Sequence, residues 1–237
     1  MTVASARVFL GLLYLTAALA APQTGAKQKW PFFRFVRTLI FFDAIPKFPF
    51  FQPTTIGTPT KLAPGSVLFN MAKGIKIDIG PLDDIVMGGV SKTDVAPGEF
   101  DGMFSGFVST ANNGGFAGIR TTLFRPPKDV AQCTGFQLRI KGDGQRYKFI
   151  ARDDTDWNGI AWSASFDSQK DKSTTVCIPI KDLKPTRFAK VVSGPIFDKT
   201  KLTGLQVTLS KFEYDGGLNL RFTEGPFSLF LEEVSMY

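Results

Sequence analysis

The 237-residue chain is 43% hydrophobic, carries 24 Phe and has a formal charge of +7, enough for one domain of about 170 residues with a sizeable core once a leader is set aside. It has no histidine and only two cysteines, which excludes Ser-His-Asp and Cys-His nucleophile systems and a structural zinc site built from thiolates alone. Before residue 61 six basic residues face one acid, whereas the remaining 22 basic and 20 acidic residues nearly balance, so no phosphate-binding surface and no nucleic-acid partner is expected.

Residues 1–20 read as a signal-like leader. One Arg precedes the apolar run 8–20, Ala18-Leu19-Ala20 fits a small-residue cleavage site, and the run is too short to prefer a permanent span. Residues 21–42 then hold four basic residues and no acid, a transit-like composition. A signal followed by such a stretch resembles the two-part leader of plastids bounded by extra membranes, although Ala21 stands where those leaders often have Phe. A secretory signal followed by a basic linker is the other reading. Within 30–51, WPFFRFVRTLIFFDAIPKFPFF, the residues Phe32, Phe35, Val36, Leu39 and Ile40 recur at helical spacing, with Arg34, Arg37 and Thr38 off that stripe. Pro46 and Pro49 stop any helix. Two readings stand. In one, Phe32, Phe35, Leu39 and Ile40 contact a membrane interface with Arg34 and Arg37 beside anionic headgroups, and the segment can be deleted without unfolding the downstream domain. In the other, it packs across that domain as a covering helix. Residues 52–65 read as a Pro/Gly/Thr linker, so 21–65 is a basic Phe-rich segment plus linker.

From Val67 onward the period is two. Phe136, Leu138 and Ile140 alternate with Gln137, Arg139 and Lys141, and Leu205, Val207 and Leu209 with Gln206, Thr208 and Ser210. Tyr147, Phe149 and Ala151 share a face, and Gly142-Asp143-Gly144 and Asp215-Gly216-Gly217 punctuate the runs. The pattern predicts an all-β fold, an antiparallel β-sandwich or jelly roll, over 66–237.

The sharpest stretch is 82–122. Asp83 and Asp84 precede Met87, Gly88, Gly89 and Ser91; Asn112, Asn113, Gly114 and Gly115 precede Phe116 and Arg120. The Asn-Gly cluster has the chemistry of a tight hairpin, which predicts a strand, turn and strand with MGGVS on the strand before. The glycines either shape the backbone, with the Asp side chains capping a turn, or form a partner-contact surface where a client backbone comes close. In the second case all twelve named residues are candidate partner contacts, with Arg120 as a carboxylate-binding fork. No Lys follows in a phosphate-loop position.

Other clusters are weaker. Asp153, Asp154 and Asp156 lack the spacing and closing Glu of an EF-hand and read as a solvated turn. Tyr147, Trp157 and Trp162 read as core, with a sugar-stacking platform as the alternative. Cys133 and Cys177 read as two buried free thiols, or as a disulfide in an oxidising compartment. Ser91, Ser105 and Ser109 have no partner base, so no catalytic residue, metal or cofactor is expected.

DDIVMGGVS followed by FSGFVSTANNGGFAGIRT resembles the CIA30 family, the complex I intermediate-associated protein 30 domain. The likeness continues through GDGQRYKFIARDD, SASFDS, CIPIKDLKPTRF, LTGLQVTLS and GPFSLFLEEVSMY, and so covers 66–237 in order. The resemblance implies a galactose-binding-like sandwich without known catalysis. It also implies a chaperone-like assembly factor whose partners are subunits or intermediates of a membrane-bound electron-transfer complex, foremost mitochondrial NADH:ubiquinone oxidoreductase (complex I). A plastid factor for photosynthetic complexes and a secreted carbohydrate-binding module are the alternatives; the basic Phe-rich stretch argues against the latter.

Overall fold

The computed structural model describes residues 29–42, 57–156 and 158–237. The signal-like leader, the first part of the transit-like stretch, residues 43–56 with Pro46 and Pro49, and Trp157 lie outside the described residues. Helix α1 (Phe32–Phe41) starts after Pro31, where a missing N–H costs nothing, and the Phe35 N–H donates to Pro31 O at 3.2 Å.

Two antiparallel sheets make up most of the other described residues. The larger runs β14 (Lys190–Val191), β13 (Lys184–Arg187), β11 (Ala161–Asp167), β10 (Arg146–Arg152), β15 (Gly204–Ser210), β7 (Phe116–Thr121), β3 (Asp78–Pro81), β5 (Gly98–Glu99). The smaller runs β12 (Ser173–Pro179), β9 (Gly135–Gly142), β16 (Gly225–Met236), β6 (Met103–Val108), β4 (Lys92–Thr93), with β2 (Val67–Asn70) also on β16. A short parallel pair joins β1 (Thr60–Lys61) to β8 (Lys128–Asp129). The predicted antiparallel β-sandwich is present, preceded among the described residues by one short helix.

The period-two runs make the core. Phe136, Leu138 and Ile140 of β9 meet Tyr147, Phe149 and Ala151 of β10 and Leu205, Val207 and Leu209 of β15, all buried in one cluster. Phe136 and Phe149 pack across the two sheets at 4.8 Å between ring centres, their planes tilted by 49°. Tyr147 is fully buried, and Trp162 lies edge-on to Phe197 at 5.5 Å, so neither offers a surface platform for a sugar. Both thiols are free, but only Cys133 is buried; Cys177 occupies an outward position of the edge strand β12.

Three expectations need correction. Residues 103–122 are not a hairpin, because β6 belongs to the smaller sheet and β7 to the larger. Asn112 and Asn113, with φ of 55° and 62°, turn the chain across the sandwich edge instead. MGGVS is likewise no strand: a 3-10 turn covers Asp84–Met87, and β4 begins only at Lys92. The polar residues of β15 also differ from the alternation's forecast, since Gln206 and Thr208 are buried on the sheet's outer face. That face is partly roofed: the Arg120 guanidinium lies 5.9 Å from the Phe42 ring, Lys148 donates to Phe212 O and Glu213 O, and Arg152 donates to Gly159 O at 3.4 Å.

Candidate functional site

The residues singled out in 82–122 converge on two carboxylates. β3 continues past Pro81 through a bond from the Leu82 N–H to Gly118 O at 2.8 Å, which delivers Asp83 and Asp84 to the sandwich edge. Asp84 is 1% exposed. Its Oδ1 accepts from the Ser91 N–H at 2.9 Å; its Oδ2 accepts from the Ser91 hydroxyl at 2.6 Å, the Gly115 N–H at 2.7 Å and the Phe116 N–H at 3.3 Å. A buried carboxylate is tolerable only when its lone pairs are met in this way.

The glycines make room for that carboxylate. A Cβ on Gly89 would sit 2.3 Å from Asp84 Cγ, and one on Gly114 would sit 2.4 Å from Asp84 Oδ2. Gly88 has a different reason: its φ of 91° ends the 3-10 turn, with its N–H donating to Ile85 O at 3.2 Å. The two glycine clusters, far apart in sequence, therefore wrap one side chain.

Asp83 is fully buried beside it. It accepts from the Thr93 N–H at 3.0 Å, the Thr93 hydroxyl, the Gly118 N–H at 3.4 Å and Arg34 Nη2 at 2.8 Å. Burial pushes its carboxyl up from 3.8 to about 6, against the pull of the Thr93 donors and the Arg34 charge. Arg34 Nη2 also donates to Ser91 O at 3.2 Å, and Trp30 Nε1 donates to Ile85 O at 2.8 Å. Helix α1 is thus docked on this corner. Phe41 lies over Gly80, where a Cβ would meet the ring at 2.5 Å.

The docking sets which helix face is free. Arg34 and Thr38 turn toward the sandwich and Phe33, Arg37 and Ile40 turn away; Phe33 is 87% exposed and Ile40 61%. Phe32 and Arg37 are exposed too, while Phe35 and Leu39 are half-buried. The predicted stripe is therefore split. A buried carboxylate needs a cation more than the interface needs another apolar residue, and it draws Arg34 inward. Among the described residues no helix is long and apolar enough to cross a membrane.

Asp83, Asp84, Ser91, Gly89, Gly114 and Gly115 are brought together, but in the interior. As contacts for a partner they are unavailable in this conformation, because their polar atoms already satisfy one another. The accessible rim is Met87, 57% exposed, with Gly88, Asn112, Asn113 and Phe116 around it. The Asn112 side-chain amide donates to Gly88 O at 3.4 Å and ties the two halves of that rim. Arg120 is not part of it. It is buried four residues along β7 from Phe116, and burial, then the nearby Arg152 charge, lowers its ordinary value to about 9.

Sequence reasoning missed Trp30, Thr93, Gly118 and Glu224. The last accepts from the Ser109 hydroxyl at 3.0 Å, the Thr110 N–H at 2.9 Å and the Thr110 hydroxyl at 2.6 Å, fixing the loop before the Asn turn. These bonds, the Thr110 hydroxyl first, hold Glu224 below the usual carboxylate range. One signal was present: Ser91 and Thr93, spaced by two, give one hydroxyl to each of the adjacent carboxylates.

Fold and site together define a β-sandwich with a helix latched onto a buried carboxylate pair at its edge. The chain belongs to the complex I intermediate-associated protein 30 (CIA30) family, whose profile matches residues 70–231. No curated protein gives a significant match. Among solved structures, a family 11 carbohydrate-binding module of a Clostridium thermocellum cellulase is similar at 17% identity, covering 72% of this chain and 92% of the module, with a TM-score of 0.49. A family 30 carbohydrate-binding module is similar at 18% identity over 68% of this chain and 94% of the module, TM-score 0.38. An agarase is similar at 7% identity over 73% of this chain and 24% of the enzyme, TM-score 0.45.

Proposed function

We propose that this chain is a non-enzymatic assembly factor that holds a partly built, membrane-bound electron-transfer complex, with mitochondrial complex I as the first client. The observation that carries this reading is membership of the CIA30 family across the sandwich, including both glycine clusters and the carboxylates they enclose. Client contact falls to the rim of Met87, Gly88, Asn112, Asn113 and Phe116, where backbone is accessible and a client loop can approach closely. The outward face of α1, with Phe32, Phe33, Arg37 and Ile40, is the natural peripheral contact with the membrane that carries the client.

The test is affinity capture from organelle membrane extracts with identification of co-purifying subunits. Wild type should bring down complex I subunits, and Met87→Asp with Asn113→Asp should lose them while keeping its melting temperature. Recovery of no membrane-complex subunit by a folded wild-type protein would refute the reading. A photosynthetic complex in a plastid is the second client reading, favoured by the acid-free, basic stretch behind the signal-like leader. The compartment in which a full-length fluorescent fusion accumulates separates the two, and accumulation in the medium would sink both.

A further inference from the structure

Hairpin β13–β14 closes in a two-residue turn, Phe188-Ala189, between the facing pair Arg187 and Lys190. Both central residues have positive φ, 51° and 61°. A two-residue hairpin turn of this hand is met at low cost by Asn-Gly; a Phe and an Ala are strained in it. The strain is braced from outside. The Asp215 N–H donates to Ala189 O at 3.0 Å, and the Val191 N–H donates to Asp215 Oδ1 at 2.8 Å. What the brace maintains is a Phe188 side chain 72% exposed at the tip, with Val191 41% exposed and Arg187 and Lys190 exposed on either side. Backbone strain kept in place by surrounding bonds is a pointer to use.

The hairpin itself carries charge of one sign. Residues 184–191 hold three basic side chains (Lys184, Arg187 and Lys190) and no acid, and the carboxylate that meets the turn is the Asp215 that braces it. The whole of 61–237 has a net of only +2, so the rest of that stretch is negative. The loop that braces the turn adds Leu218 and Leu220, 65% and 93% exposed.

We propose that this hairpin tip docks on an anionic lipid bilayer, Phe188 entering the interface while Arg187 and Lys190 meet headgroup phosphates. An exposed ring flanked by cations matches the layered chemistry of that surface: apolar below, anionic above. A stable protein partner needs on the order of 800 Å² of each surface, far more than one projecting ring supplies. The inference does not depend on the identity of the client or on the membrane contact of α1, which stays intact in every variant below.

The experiment is sedimentation of the full chain with vesicles of equal parts phosphatidylserine and phosphatidylcholine, and with phosphatidylcholine alone. The informative variant is Phe188→Asn with Ala189→Gly, which supplies the residues the turn prefers while removing the ring. It should melt higher than wild type yet bind anionic vesicles about tenfold more weakly. Arg187→Ser and Lys190→Ser should each weaken binding about fivefold without lowering the melting temperature. Wild type should leave phosphatidylcholine vesicles largely unbound. The proposal is overturned if the Asn-Gly variant sediments as wild type does, if it melts lower because the ring packs rather than projects, or if wild type binds neutral vesicles equally well.

Discussion

Replacing Asp84 by Ala removes the acceptor for the Ser91 N–H, the Ser91 hydroxyl, the Gly115 N–H and the more distant Phe116 N–H. Each buried donor left unmet costs about 1–3 kcal/mol; with the longest bond discounted and the Ser91 hydroxyl still able to donate to Ser109 O at 3.2 Å, the loss should be about 2–6 kcal/mol. That is a large share of a typical domain's total of about 5–15 kcal/mol. Gly89→Ala should also destabilise, by about 2–4 kcal/mol, because the new Cβ would sit 2.3 Å from Asp84 Cγ and 2.4 Å from its Oδ1. Gly89 is not among the residues with positive φ, so space alone opposes Ala there. The two losses must then share a cause. In the double variant the two nearest colliding atoms, Cγ and Oδ1, are gone and only the residue-84 Cβ remains, 2.8 Å from the new one, so its destabilisation should fall short of the sum of the single values by at least about 1 kcal/mol. Urea unfolding of the four proteins in the cycle measures this directly. Simple additivity would refute the claim that the glycine exists to admit the carboxylate.

Four further outcomes are expected. Arg34→Ala should raise the Asp83 carboxyl further above 6, because the Arg34 charge opposes the effect of burial. Since the folded value already exceeds the unfolded 3.8, the Asp83 contribution is fully present below about pH 4 and is lost as pH rises through about 6. The cost of Arg34→Ala should therefore be about 1–2 kcal/mol near pH 7.5, discounted for the one-third exposed Arg34, and small near pH 5, read from urea midpoints at both values. Gly88→Ala should cost about 1–2 kcal/mol through its φ of 91° alone, and a thermal melt that leaves it untouched would remove that argument. A maleimide should label Cys177 rapidly and Cys133 only on unfolding, as their exposures require. Glu224→Gln should loosen the Ser109–Thr110 loop while preserving the sheets, seen as faster amide exchange at Thr110 with little change elsewhere.

The sandwich was legible because its evidence is local and repeated. Phe136, Leu138 and Ile140 alternate with polar neighbours over a length that only a half-buried strand explains, and β9 follows that pattern, whereas β15 is a strand as expected but buried on both faces. The connection from β6 to β7 was not legible. Asn112 and Asn113 announce left-handed backbone, but left-handed backbone serves a hairpin and a crossing between sheets equally well. What selects the crossing is a carboxylate on another segment that captures the Gly115 N–H, a bond with no pattern in the sequence. The helix was legible as a helix and misread as to face, for the same reason. Periodicity ranks apolar positions, whereas Arg34 is turned inward by an acid 49 residues away.

The burial of Asp83 and Asp84 changes where function can reside. Had these carboxylates been exposed, the glycines around them would have been best read as a surface admitting a client backbone. Buried and saturated, they organise the protein's own backbone at the edge where the two sheets meet. These residues are consequently architectural, and under the proposed function a client is left with what this architecture presents: the Met87 to Phe116 rim and the free face of α1. The same geometry binds α1 to the sandwich. Arg34 supplies the cation for Asp83, and Trp30 caps Ile85 O inside the 3-10 turn that carries Asp84. Removing the helix would leave a buried carboxylate without its cation, a situation that costs about 3–5 kcal/mol where both partners are enclosed and less here because Arg34 is one-third exposed. Helix α1 is thus latched to the sandwich rather than detached from it. A pull on the helix would be felt first at Asp83 and, through Ser91 and Thr93, at the segments behind the rim, so the outward face of α1 and the Met87 to Phe116 rim are mechanically one unit.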